Sequence, residues 1–296
     1  MDKIPYDIEK RLKAIIRRIE YAVAFDGIGA DNFKDKTSMK SLIEITGMSE
    51  RSLRKWFKLY TGQNVSKYAN SRRAEYAARI FRLFPTTSKS EVAQIIGLNS
   101  STAIYPFMRK HGVNDIDHLK NTDRRDNYSI PFRFEQLPNC IMFYMQDECH
   151  YNECSNIDFE LSHWEIIEKY VINKYPQAEI IGYIGFAIDK YLENDIESGI
   201  FISGILYKNT ISVHVSKNVF GEIGSLLIPS NKYAVFSHRG TYEELSVFYQ
   251  LVLDTLHTNN NLHIKKSSLI MEKYINSPTD TPAEELSTEI WIPLIS

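Results

Sequence analysis

Three cysteines in 296 residues, Cys140, Cys149 and Cys154, are too few for a disulfide framework, and the N-terminus has no apolar run of the signal-peptide kind. A reduced, cytoplasmic protein is the expectation. Cys149, His150 and Cys154 are metal-ligand types, yet no second pair completes four ligands at structural-zinc spacing, so free thiols and no metal are expected. No apolar stretch reaches the roughly 18 to 20 residues that span a bilayer, which excludes a helical membrane protein. A phosphate-cradling loop and a serine or cysteine nucleophile pattern are missing too, so neither a cofactor nor catalysis is expected.

Net charge is in short supply as well, at −2, but that value conceals two opposite parts. Residues 1–125 carry 24 Lys+Arg against 14 Asp+Glu, a net of +10, while the remainder carries 11 against 23, a net of −12. The chain is long enough, with 43% apolar residues, to bury two cores. A basic part suited to a polyanion and an acidic part with another task follow from this split. The polar run before Ile130 reads as a connection, giving domains at 1–120 and 131–296 joined by a linker at 121–130.

From Asp7 to Phe25 the residues Ile8, Leu12, Ile15, Ile16, Ile19 and Val23 recur at spacings of three and four, which predicts an amphipathic helix. The stretch from Gly27 to Thr37 has no period and reads as a loop. Two segments fifty residues apart, Leu42 to Ser49 and Val92 to Asn99, then share one pattern. In each, a short apolar-striped helix ends at a glycine (Gly47, Gly97), and an apolar residue with Ser or Asn opens the next helix. This is a helix-turn-helix pattern, twice. After the first turn Leu53, Trp56, Phe57 and Tyr60 form a buried stripe, leaving Arg51, Arg54, Lys55 and Lys58 on other faces. Such groups can meet phosphates and base edges in a major groove. The wider segment 51–82 holds nine basic residues and one acid, Glu75. A linking helix spans Val65 to Phe84, stopped by Pro85.

The run Ser49 to Gly62, followed by Val65, Tyr68, Ser71-Arg72-Arg73 and Ala77-Ala78, resembles the AraC family of bacterial regulators over about residues 38–119. The resemblance implies two helix-turn-helix units, joined by a long helix, that read adjacent major-groove segments of double-stranded DNA, with RNA polymerase as a further partner. It assigns DNA contacts to Arg51, Ser52, Arg54 and Lys55 in the first unit, where the outward helix face adds Lys58. In the second it assigns them to Ser100, Ser101, Thr102 and Tyr105, with Arg109 and Lys110 positioned for the backbone. Pro106 departs from the pattern: about seven residues into the second recognition helix, it predicts a late start or a kink and weaker base readout there.

Beyond the linker the signal becomes mixed. Strands are predicted at Cys140 to Met145, Ile180 to Ile188, Ile200 to Tyr207 and Ile211 to Val215, with a helix at Ile157 to Ile172. The order recurs as a strand at Tyr233 to Ser237, a helix at Tyr242 to Leu256, and strands at Leu269 to Tyr274 and Glu289 to Ile292. The expected fold class is thus multidomain: an all-α tandem helix-turn-helix domain, then an α+β domain of two β-α-β-β units with pseudo-twofold symmetry.

Period two puts Glu272 on one strand face with Tyr274, and Glu289 on one face with Trp291. If both faces line one concavity, two carboxylates lie among aromatic rings, which suits an organic cation; the alternative is a salt-bridged Glu289 and a core Trp291. An empty pocket should then hold at least one of the two glutamates strained, protonated or bonded to a tyrosine. The stretches Val235 to Leu245, Met271 to Tyr274 and Thr288 to Leu294 resemble the GyrI-like effector-binding domain over about residues 130–296, and the domain order resembles Rob-type regulators. That resemblance implies a pocket lined by Glu272, Glu289 and Trp291 with Tyr274, and further candidates in Tyr183, Phe186, Phe143, Tyr207 and Trp164. A sequence-specific transcription regulator that senses a small aromatic or cationic effector is expected. The alternatives are a C-terminal protein-interaction module and a GyrI-like hydrolase with Glu272 or Glu289 as general base.

Overall fold

The computed structural model describes residues 4–24, 37–84, 87–113, 129–150, 162–189, 198–208, 223–259, 262–265 and 269–295. The expected loop at 27–36, most of the linker, the strand at 211–215, the start of the helix at 157–161 and Cys154 lie outside these residues. The chain divides into two compact units, the first built on Met1–Thr122 and the second beginning at Asp123.

The first unit is helical: α1 (Tyr6–Ala24), α2 (Met39–Thr46), α3 (Glu50–Thr61), α4 (Val65–Leu83), α5 (Lys89–Ile95), a 3-10 turn at Ser101–Ala103 and α6 (Ile104–Lys110). Short polar side chains set the starts. Ser38, Ser49, Asn64 and Ser88 each accept a hydrogen bond from a backbone N–H of the first turn of the helix that follows, worth about 1 kcal/mol apiece. The turns after α2 and α5 pass through Gly47 at φ 64° and Gly97 at φ 71°, a backbone region where a Cβ costs roughly 1 kcal/mol. Leu12, Ile15 and Ile19 of α1 close over Leu42, Leu53, Phe57 and Val65 to make one core. Across it, buried Arg72 pairs with Glu20 at 2.7 Å and with Glu75, and Tyr68 donates to Glu20 at 3.1 Å.

Among the described residues the second unit is an eight-stranded sheet with two α-helices. Its elements are β1 (Arg133–Leu137), β2 (Cys140–His150), α7 (His163–Lys174), β3 (Ile180–Asp189), β4 (Ser198–Lys208), β5 (Gly224–Ile228), β6 (Asn231–Arg239), α8 (Leu245–Thr258), β7 (Met271–Tyr274) and β8 (Ser287–Pro293). Strand order is β1-β6-β8-β7-β3-β4-β2-β5. Every inner strand of the expected set recurs with shifted ends, whereas β1 and β5, at the two sheet edges, had no sequence expectation. The helix expected from Tyr242 begins as a 3-10 turn, Tyr242–Glu244, before α8.

Side-chain parity puts both helices on one sheet face. Ile141, Phe143, Ile205 and Tyr207 pack with Ile167 and Val171 of α7, and Ala234, Phe236, Ile290 and Ile292 pack with Val252 and Leu256 of α8. Across the junction of the two halves, Gly185 of β3 lies opposite Glu272 of β7, which lies opposite Ile290 of β8. Directly opposed residues share a face, so Glu272 belongs to the helix-bearing side. The other face is also apolar and buried, with Met142, Ile184, Phe186, Tyr233, Val235, Met271 and Trp291 at 6% exposure or less.

Candidate functional site

In the first unit α3 turns Arg51, Arg54, Lys55 and Lys58 to solvent. Arg54 is held by Glu50, its Nε and Nη2 donating to one carboxylate oxygen at 2.9 and 2.6 Å. Ser52 sits in the cap, with its hydroxyl accepting from Ser49 at 3.0 Å and its N–H donating to the Ser49 hydroxyl at 3.2 Å. Two of the nine basic residues of segment 51–82 are turned inward. Arg72 and Arg73 are buried in internal bonds, so the one-signed surface is narrower than the composition implies.

Beyond α5, Ser100 caps the 3-10 turn and bonds the Thr102 hydroxyl at 2.7 Å. Thr102 and Arg109 are exposed, Ser101 and Tyr105 half-buried, and the Lys89 ammonium lies 4.0 Å from the Tyr105 ring centroid. Of the late start and the kink that Pro106 predicted, the late start is found. Because α6 starts at Ile104, the proline is its third residue, within the first turn where no intrahelical donor is needed.

The second unit holds one carboxylate wrapped in phenols. Glu272 accepts from the Tyr249 hydroxyl of α8 at 3.0 Å and from the Tyr274 hydroxyl at 2.7 Å. The Tyr274 ring meets Trp164, near the start of α7, at 5.5 Å and Tyr242, just before α8, at 5.6 Å, both edge-on. Trp164 is itself fixed, its indole N–H shared between the carbonyls of Ile184 at 3.2 Å and Gly204 at 3.1 Å. Gly185 lets two rings close down on the strand: a Cβ there would come within 2.6 Å of both the Tyr274 hydroxyl and the tip of Phe201. Elements from both halves of the sheet thus converge on one acidic group.

Electrostatics follow from the burial. Desolvation raises the Glu272 pKa above the ordinary carboxylate value, and the hydrogen bonds from Tyr274 and Tyr249 oppose that rise. Burial first, and the Glu272 charge second, push Tyr274 and Tyr242 above the usual phenol range. Both phenols remain protonated at neutral pH. The site therefore presents ring faces, ring edges and a carboxylate whose negative charge is under-solvated.

Glu289 and Trp291 are not part of this group. In the β7–β8 register Glu289 lies opposite Lys273 and Trp291 opposite Met271, so both point to the face away from the helices. There Arg133 donates to Glu289 at 2.5 Å, the Trp291 indole donates to its other oxygen at 2.9 Å, and Lys273 lies 5.1 Å from the Trp291 ring centroid. The single concavity expected for both glutamates is corrected by this one-residue offset. Phe186 faces the same way as Ile184, away from Glu272, since alternate residues share a face. Tyr183, Phe143 and Tyr207 lie on the helix-bearing face but belong to the packing under α7, with Tyr183 donating to Glu168 at 3.2 Å. Sequence reasoning passed over Tyr242, Tyr249 and Phe201. Only the aromatic composition hinted at them, because the approach of Tyr242 and Tyr249 to Glu272 depends on how α8 seats on the sheet, and that of Phe201 to Gly185 depends on strand pairing.

Comparison with known proteins adds a family. No match is found among curated proteins. Among solved structures, the EcmrR C-terminal domain is 16% identical over 56% of this chain and 98% of that one, with a TM-score of 0.40. EcmrR in the cryo-EM structure of the EcmrR-DNA complex in EcmrR-RPo is 14% identical over 83% of this chain and 84% of that one, with a TM-score of 0.42. SAV2435 bound to tetraphenylphosphonium is 18% identical over 56% of this chain and 95% of that one, with a TM-score of 0.37. At these scores the likenesses carry no weight beyond resemblance, and family membership rests on the sequence. Residues 131–295, more than half of the chain, match the family model of the GyrI-like small molecule binding domain, and the chain belongs to that family.

Proposed function

We propose that this protein is a ligand-responsive transcription regulator: its first unit binds double-stranded DNA through two AraC-type helix-turn-helix lobes, and its GyrI-like domain senses a small aromatic cation. The observation that carries the sensing half is Glu272, a carboxylate raised in pKa by burial and bonded by two phenols, one of which, Tyr274, is edged in turn by the rings of Trp164 and Tyr242. A cation entering there relieves the desolvation of the carboxylate and gains ring faces. The DNA half is supported by the net +10 of residues 1–125 and by the exposed Arg51, Lys55 and Lys58 of α3. Two left-handed glycines, each between a short helix and the next capping serine, are what two helix-turn-helix lobes require. The recurring orders β2-α7-β3-β4 and β6-α8-β7-β8 support two pseudo-twofold related units. Binding rather than turnover, a cytoplasmic location and contact with RNA polymerase complete the reading.

One experiment tests it. The full chain is titrated with tetraphenylphosphonium by calorimetry, then assayed on promoter DNA from its own genome with and without the cation at several salt concentrations. Saturable cation binding, together with salt-steep DNA binding whose transcriptional output changes with the cation, is the expected result. Absence of DNA binding at low salt overturns the regulator, and hydrolysis of a bound ligand over hours overturns pure sensing.

A further inference from the structure

The two glycine turns after α2 and α5, at Gly47 and Gly97, are each held by an arginine from the long helix that precedes its lobe. At the first turn, Arg11 of α1 donates from Nη1 to the carbonyl of Thr46 at 2.6 Å, and the same nitrogen lies 3.6 Å from where a Cβ on Gly47 would be. At the second turn, Arg73 of α4 donates from Nε and Nη2 to the carbonyl of Ile96, at 2.9 and 2.5 Å, and from Nη2 to that of Gly97 at 2.9 Å. The Arg73 guanidinium also lies 5.2 Å from the centroid of Phe107 on α6, and its Nη1 donates to Asn70 at 3.1 Å. The two contacts occupy equivalent positions. Thr46 ends α2 and Ile96 caps α5, so in both lobes a cation meets carbonyls at a helix C-terminus, where the final turn has no intrahelical donors left and the helix dipole is negative.

We propose that Arg11 and Arg73 are positioning residues, one for each lobe, and that each sets how its lobe's second helix is seated for reading DNA. The inference rests on the DNA-binding reading above. A planar fork can grip neighbouring carbonyls at a fixed angle, whereas an ammonium group offers a point charge with no preferred plane. In the second lobe the fork reaches Ile96 and Gly97 on one side and the Phe107 ring on the other, so it ties α5, the turn and α6 to α4 at once. In the first, Arg11 ties the end of α2 to α1. Neither arginine is exposed on the face formed by Arg51, Lys55 and Lys58, for Arg73 is 6% exposed and Arg11 half-buried. Their effect on DNA is therefore indirect, and it is separable lobe by lobe.

The test is selection from randomised duplex DNA by the full chain, comparing wild type with R11K and R73K. R11M and R73M serve as stronger variants, and R51A labels the segment read by the first lobe. The wild type is expected to enrich a two-part site. R11K should lose preference in the part that R51A also blurs, and R73K in the other, each by roughly tenfold, about what one mismatched base pair costs. Amide hydrogen exchange without DNA should report faster opening within residues 39–61 for R11K and within 89–110 for R73K. If both variants keep a two-part site intact, or both blur the two parts together, the inference is overturned. Should the wild type enrich no duplex, the DNA reading falls and takes this inference with it. Exchange that rises uniformly across the first unit would mark the arginines as general stabilisers and overturn the assignment.

Discussion

Glu272 and Glu289 stand on adjacent strands of one sheet and meet different chemistry. Glu272 faces the helices, accepts only from tyrosine hydroxyls among the bonds seen for it, and has its pKa raised by burial. Glu289 faces the opposite way, where the Arg133 guanidinium and the Trp291 indole both donate to it. One is met by neutral phenols; the other is met by a cation. The separation arises because β7 and β8 pair Glu272 with Ile290 and Lys273 with Glu289, an offset of a single residue, and a single residue reverses the face. Similar residue types in similar strand contexts thus meet opposite surroundings, and the proposed binding role falls to Glu272 alone.

The largest expected effect sharpens this contrast. E272Q should weaken binding of an aromatic cation by about 3 kcal/mol, more than a hundredfold, as when one partner of a buried pair is neutralised. E289Q should leave affinity within about 0.5 kcal/mol, because its partners lie across the sheet. Titration calorimetry on both variants decides it, and equal losses would break the comparison.

Acidity should separate the two glutamates next. With its pKa raised in the folded state, Glu272 binds its proton more tightly than in the unfolded chain. Its contribution to stability is therefore fully present below the ordinary carboxylate pKa and is lost as pH rises through the raised value. Cation binding runs the other way, since the ionised form is the one that attracts: affinity falls as pH drops through the raised pKa, by up to about tenfold per unit. A pH series of affinities should show this slope in the wild type and none in E272Q. A flat wild-type profile would mean that Glu272 is not the counter-charge.

Smaller effects concern the supports. Gly185→Ala drives a methyl group against the Tyr274 hydroxyl and Phe201, and should destabilise the second unit by about 1 to 3 kcal/mol while loosening the bond to Glu272. Thermal melts and cation affinity should fall together. The smallest change is expected for E289Q. It weakens a charge-assisted bond to an Arg133 that is 44% exposed, so about 1 kcal/mol of stability at most is at stake once screening is allowed for. A melting temperature lowered by E272Q but untouched by E289Q would reverse the assignments.

Much of this was legible in the chain. The 3.6-residue period of Leu12, Ile15 and Ile19, the serines before α2, α3 and α5, and the paired Gly47 and Gly97 specify local geometry through propensity and capping, and the helices appear where those signals lie. The alternation around Glu272 and Tyr274 likewise specified that the two share a face. Edge strands carried no comparable signal: β1, Arg133–Leu137, shows half or more of its residues to solvent, and only pairing with β6 makes it a strand.

What the sequence by itself determined, then, was everything carried by neighbours three, four or two residues apart: the helices, the inner strands, the charge split and the placing of Glu272 beside Tyr274. Only the tertiary structure decided which strand faces coincide, because register between β7 and β8 is a long-range pairing that no local period encodes. It alone brought Tyr249 and Tyr242 to Glu272, turned Glu289 toward Arg133, and drew Arg72 and Arg73 out of the basic surface into the first unit. Pro106 stands between the two: the sequence predicted a late start or a kink, and the structure decides for the late start, because a 3-10 turn at Ser101–Ala103 delays α6 just enough to leave the proline in its first turn.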